Sequence, residues 1–120
     1  MAGLKNGLLF FGREIVIMNQ TERITLMESY LDEAKAALKA YSESLRAYRE
    51  IQPKLRELAG YYAGEEWRRD FEDDEAGRLP NDLKRGVLSE DAVYDVLSEN
   101  RDLQAETLEV MAEILREGRF

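Results

Sequence analysis

The sequence contains no cysteine and no histidine. The first absence excludes disulfides, thiolate nucleophiles and thiolate metal ligands. The second removes the usual general base near neutral pH and the commonest transition-metal ligand. Carboxylates, Lys, Tyr, Ser and Thr are the catalytic groups that remain, and no glycine-rich phosphate loop accompanies them. Long apolar runs are lacking too. Leu8 to Phe11 is cut off from Ile15 to Ile17 by Gly12, Arg13 and Glu14. That stretch is too short and broken to span a membrane, and it does not match the cationic start, apolar core and cleavage site of a signal peptide.

What is abundant is charge. Of 120 residues, 35% are charged and 44% hydrophobic, with a formal net charge of -8. This balance excludes a general nucleic-acid binder, which needs a basic face to release counterions from phosphates. It also opposes adhesion to an anionic membrane surface. It suits a basic protein partner. Two prolines and many Ala, Leu, Glu and Arg favour long helices. The core of such a chain is a thin seam, so stability is modest for the size.

The spine is predicted over 21–50. Ile24, Met27, Leu31, Ala34, Leu38, Tyr41, Leu45 and Tyr48 recur at alternating steps of 3 and 4. This is an unbroken heptad stripe that some other helix must cover. Thr21 is the expected N-cap. Acids Glu22, Glu28, Asp32 and Glu33 come early, and bases Lys35, Lys39, Arg46 and Arg49 late, an order that suits the helix dipole. Pro53 is expected to end this helix near 51–53 and to open a second one over 53–63. Ser89 reads as the cap of a last helix over 89–116, with an apolar face from Val93 to Leu115. Asn100 and Thr107 interrupt that face, as register-setting polar residues do.

Between the second and last helices lies an aromatic and acidic connector, Tyr61 to Ser89. Tyr61, Tyr62, Trp67 and Phe71 fall within eleven residues, and 65–75 holds seven acids against Arg68 and Arg69. A short helix is expected at 66–74, with Trp67 and Phe71 one turn apart and facing inward. Lys84, Arg85 and Gly86 restore positive charge before the last helix.

The order of residues here is recognisable. Trp67, Asp70, Asp74 to Gly77, Leu79-Pro80, Asp82 to Lys84 and the run Arg85 to Asp95 resemble a bacterial family of small helical proteins. So do Glu22 to Ile24, Met27-Glu28 and Tyr61-Tyr62. That family is domain of unknown function 4298. The resemblance covers roughly Met18 to Leu115 and implies a helical fold without implying an activity, substrate or cofactor.

Each chemical reading of the connector has a plainer counterpart. Asp70, Glu72 and Asp74 alternate like calcium ligands, but that loop needs Gly at its sixth position and Glu at its twelfth. Glu75 and Asn81 stand there instead, so a solvated acidic helix face is the simpler account. Paired carboxylates need a concave, partly dry site to act as acid and base, and a narrow helical hairpin offers none. Trp67 is either a partner-binding anchor or a plug at the end of the hairpin, and the thin core favours the plug. Lys84 and Arg85 pair more simply with the acids at 70–75 than with phosphate.

The sequence therefore predicts an all-α protein: an antiparallel helical hairpin or three-helix arrangement built on the long heptad helix. Segments 53–63 and 89–116 pack back along that spine, closing the seam from within and leaving room for a weak homodimer. The domain is 18–117. Residues 1–17 form a disordered extension, with Met18 as the natural initiator. The leading functional expectation is a non-enzymatic, cytoplasmic module that binds a protein partner and uses no metal or cofactor. Its contact residues would be Tyr61, Tyr62, Trp67, Asp70, Phe71, Asp73, Asp74, Glu75, Lys84 and Arg85. The rivals are a carboxylate-based Mg2+ or Ca2+ enzyme, or other metal-binding protein, and a structural homo-oligomer. Intact mass of protein expressed from its native transcript is expected to show a chain starting at Met18; a start at Met1 contradicts this.

Overall fold

The computed structural model describes residues 3–5, 8–11 and 14–118, with side chains from Ile17 onward. The order is strands β1 (Gly3–Lys5), β2 (Leu8–Phe11) and β3 (Glu14–Ile17), then helices α1 (Gln20–Tyr62) and α2 (Glu65–Glu75). A 3-10 turn at Gly86–Leu88 and helix α3 (Ala92–Glu117) complete it. From Gln20 onward every regular element is helical, and the domain is all-α. The chain divides into two compact units, Met1–Arg49 and Glu50–Phe120, and α1 runs through the boundary.

In the first unit, residues 3–5, 8–11 and 14–17 are strands, and the rest of the extension expected over 1–17 lies outside the described residues. The strands form an antiparallel sheet in the order β1-β2-β3. Lys5 pairs with Leu8, and Phe11 with Glu14. The sequence basis is short runs of Leu, Phe, Ile and Val separated by Asn6-Gly7 and Gly12-Arg13.

Helix α1 begins directly after Asn19, which caps it in place of Thr21. Asn19 Oδ1 accepts the Glu22 backbone N–H at 2.8 Å, and Asn19 Nδ2 donates to Glu22 Oε1 at 2.6 Å. This is a close relative of the capping box, in which cap and third residue satisfy each other. Thr21 lies inside the first turn, where its carbonyl accepts the Thr25 hydroxyl at 2.8 Å.

Pro53 does not end α1. The helix passes through it and continues to Tyr62, 43 residues in all, or about 65 Å. Proline has no N–H to offer the carbonyl of Arg49, so one helical bond is missing there. The helix persists because the residues on both sides favour it, and Leu55, Leu58 and Tyr62 continue its pattern. Segment 53–63 is thus the end of the spine and cannot fold back along it.

Every residue from 31 to 47 is exposed; Leu38 is 67% and Tyr41 49% exposed. The apolar positions of α3 are open as well, among them Val96, Leu103, Val110 and Ile114. Among the described residues the buried core is Leu88 and Val93, 5% and 3% exposed.

Since Pro53 costs α1 a hydrogen bond and fits no turn, Pro53→Ala is expected to stabilise the protein by about 1–3 kcal/mol. Thermal melts followed by circular dichroism measure this. A lowered midpoint would contradict the account.

Candidate functional site

The connector of the second unit folds as a small head at the end of α1. A glycine marks its entry. Gly64 stands between α1 and α2, and its N–H bonds to the Tyr61 carbonyl at 3.0 Å. A Cβ on Gly64 would lie 3.3 Å from the Gly60 carbonyl oxygen. That is tight, so a larger residue would have to push the helix-end carbonyl by a few tenths of an ångström. Helix α2 then brings Trp67 and Phe71 to one face. Their rings stack, with centroids 5.1 Å apart and planes at 17°. Tyr62 from α1 meets the Trp67 ring edge-on at 5.1 Å and 74°. Both geometries are among those that ring quadrupoles favour.

The polar ends of these aromatics hold the chain that leads into α3. Trp67 Nε1 donates to the Val87 carbonyl at 2.9 Å, and the Tyr62 hydroxyl donates to the Glu90 carbonyl at 3.1 Å. Leu88, in the same 3-10 turn as Val87, is buried, as is Val93 in the first turn of α3. Asp91, not the expected Ser89, stands at the N-cap of α3, without a side-chain cap bond; Ser89 lies two residues earlier, where its Oγ accepts the Ala92 N–H at 3.2 Å across the turn.

At its other end, α2 stops in a Schellman motif. Gly77 has φ 71°, the left-handed conformation that glycine adopts without penalty. The Arg78 N–H reaches the Asp73 carbonyl at 2.9 Å, and the Gly77 N–H reaches that of Asp74 at 3.0 Å. Arg78 also pairs with Asp73 through side chains at 2.7 Å. Arg85 ties the following loop back to the helix. Its guanidinium donates to Asp74 Oδ1 at 2.6 Å and to the carbonyls of Pro80 and Asn81 at 2.9 and 3.3 Å.

The third aspartate, Asp70, accepts the Tyr61 hydroxyl at 2.6 Å. Burial pushes the Tyr61 pKa up to about 12 from 10.0, helped by the hydrogen bond to Asp70 and by the charges of Asp70 and Glu66. Tyr61 therefore holds its proton at neutral pH and acts as a donor, not a base. It borders an open concavity of about 450 Å³, lined also by Gly60, Gly64, Glu65, Glu66 and Arg69.

Of the residues singled out from sequence, Tyr61, Tyr62, Trp67, Asp70, Phe71, Asp73, Asp74 and Arg85 all meet in this head. Glu75 and Lys84 lie exposed beside it. The alternating Asp70, Glu72 and Asp74 are on a helix, not in a loop, with Asp70 and Asp74 committed to Tyr61 and Arg85. Among the described residues no group of three or more Asp or Glu stands together as a metal-ligand set. Nor is any helix of the described residues long and apolar enough to cross a membrane. Sequence reasoning missed Val87, Leu88 and Glu90 as the receiving side of the head. Their only signal was their place in the distinctive run Arg85 to Asp91.

The model of a family described as Domain of unknown function (DUF4298) matches residues 24–110. The chain belongs to this family. The DUF4298 match includes the whole head and the whole stripe from Ile24 to Tyr48. No curated protein and no solved structure matches the chain.

The Tyr61 bond predicts a pH dependence. The folded chain holds this proton more tightly than the unfolded chain. The resulting stability is fully present below pH 10.0 and is lost as pH rises through about 12. Ultraviolet titration of phenolate absorbance is expected to show one late tyrosine that is missing from Tyr61→Phe. Identical titrations of the two proteins would refute the assignment.

Proposed function

We propose that this DUF4298 protein is a non-enzymatic, cytoplasmic interaction module whose head presents an acidic surface to a basic protein partner. The supporting observation is how the acids of α2 divide. Asp70, Asp73 and Asp74 are used inside the head, by Tyr61, Arg78 and Arg85. Glu65, Glu66, Glu72 and Glu75 are exposed on the same short helix. The aspartates brace the helix and the glutamates are the charge it displays.

This division changes which residues make the contact. Trp67 spends its donor on Val87 and its ring contacts on Phe71 and Tyr62, so it supports the surface instead of anchoring a partner. Because the head is cross-tied at α2, the 3-10 turn and α3, its charges are held in place before binding, which lowers the ordering cost of association. Exposed charges of one sign steer encounter and set specificity more than they set affinity. Binding of this kind weakens as salt rises.

The test is capture from a bacterial lysate at low and high salt. Wild type is compared with a Glu65/Glu66/Glu72/Glu75→Gln variant, each checked for fold by circular dichroism. The expected result is a salt-sensitive partner that the variant retains about tenfold less well. A partner retained equally by both proteins, or no partner for either, counts against the reading.

A further inference from the structure

We infer that the chain pairs with a second copy of itself, antiparallel, along the α1 stripe. The starting point is the open seam. Residues 31–47 are all exposed, yet heptad spacing runs through them without a break. A stripe of that regularity is covered in the state it serves.

Charge selects the occupant. Residues 22–33 hold four acids and one base, while 35–49 hold four bases and one acid. Laid antiparallel, two copies of α1 set the acidic turns of each against the basic turns of the other, twice by symmetry. Laid parallel, they set like charge on like. A helix with the character of α3 is a poorer cover, because Ala92–Glu117 holds seven acids and two bases. It would meet the acids at 22–33 with its own sign.

Side-chain volume selects the same orientation. Centred on residue 36, the antiparallel register faces Met27 with Leu45, Leu31 with Tyr41 and Ala34 with Leu38 of the second copy. The smallest residue of the stripe meets a leucine in each half. The parallel register would set Tyr41 on Tyr41 and Ala34 on Ala34. That crowds one layer and leaves a void in another, both of which are destabilising. The paired stretch from Ile24 to Tyr48 spans about 36 Å of helix.

The absence of cysteine provides a clean test. Full-length Leu31→Cys and Tyr41→Cys proteins, mixed and oxidised, are expected to yield the mixed disulfide in large excess over either symmetric one. Ala34→Cys with Leu38→Cys repeats the test in the next layer, should one variant fold poorly. Light scattering of wild type at micromolar concentrations is expected to give twice the chain mass of 13.9 kDa. Predominantly symmetric disulfides would mean a parallel pair and would overturn the proposal. So would a monomer at every concentration, which is the result if α3 or a foreign helix covers the stripe. The Glu65/Glu66/Glu72/Glu75→Gln variant is expected to dimerise as wild type does. Failure of the head to bind a partner and failure of α1 to self-pair are therefore separate results.

Discussion

The Trp67 indole joins the parts of the second unit. Its N–H is given to the Val87 carbonyl, one face lies on Phe71, and its ring receives the edge of Tyr62. Three segments distant in sequence thus meet at one side chain: the end of α1, the middle of α2 and the turn before α3. Burial alone would not fix them, since among the described residues only Leu88 and Val93 are deeply enclosed. Each such residue is worth about 1.5–3 kcal/mol, and hydrophobic contact has no direction. The hydrogen bond has one. A Val87 carbonyl left half-buried without its donor would cost about 1–3 kcal/mol, so the indole specifies where the turn lies as well as stabilising it.

Charge in the head follows from that placement. Once Trp67 and Phe71 face inward, Asp70 and Asp74 share the flank of that face, because residues four apart lie together on a helix. Two partly buried carboxylates so close would repel. Tyr61 and Arg85 relieve the repulsion separately, one by donating a neutral proton and the other by supplying a cation. Arg85 reaches two loop carbonyls as well, a use of the planar guanidinium that lysine, with one point of charge, would not reproduce. Glu65, Glu66, Glu72 and Glu75 project elsewhere and stay hydrated.

Much of this was legible in the residues, for identifiable reasons. The α1 stripe and the α2 helix rest on local periodicity and both are present; the cap expected at Ser89 falls instead on Asp91, because α3 begins only at Ala92. The inward turn of Trp67 and Phe71 followed from their one-turn spacing. Pro53 misled because the rule for proline describes its cost, and a 43-residue helix absorbs one missing bond more readily than it breaks. Thr21 misled because Asn19, two residues earlier, makes a reciprocal pair with Glu22 that Thr21 has no comparable partner for. The Trp67–Val87 bond spans twenty residues, and no local pattern announces a contact of that range.

The proline error bears on the seam. A helix broken at Pro53 would have supplied a short second segment to cover the stripe, and the stripe would have been an internal feature. A helix continuous to Tyr62 supplies no such cover. It leaves Ile24, Leu31, Leu38, Tyr41 and Leu45 about half exposed or more, each an apolar surface in contact with water. Alternating steps of 3 and 4 are not what helix propensity alone requires; Ala, Glu and Lys would satisfy that without aligning the large side chains. Alignment matters only if another helix packs against it. The regular spacing, the acid-to-base order along α1 and the small residue at Ala34 are three independent features of one surface. A second copy running the opposite way meets all three with the same contact.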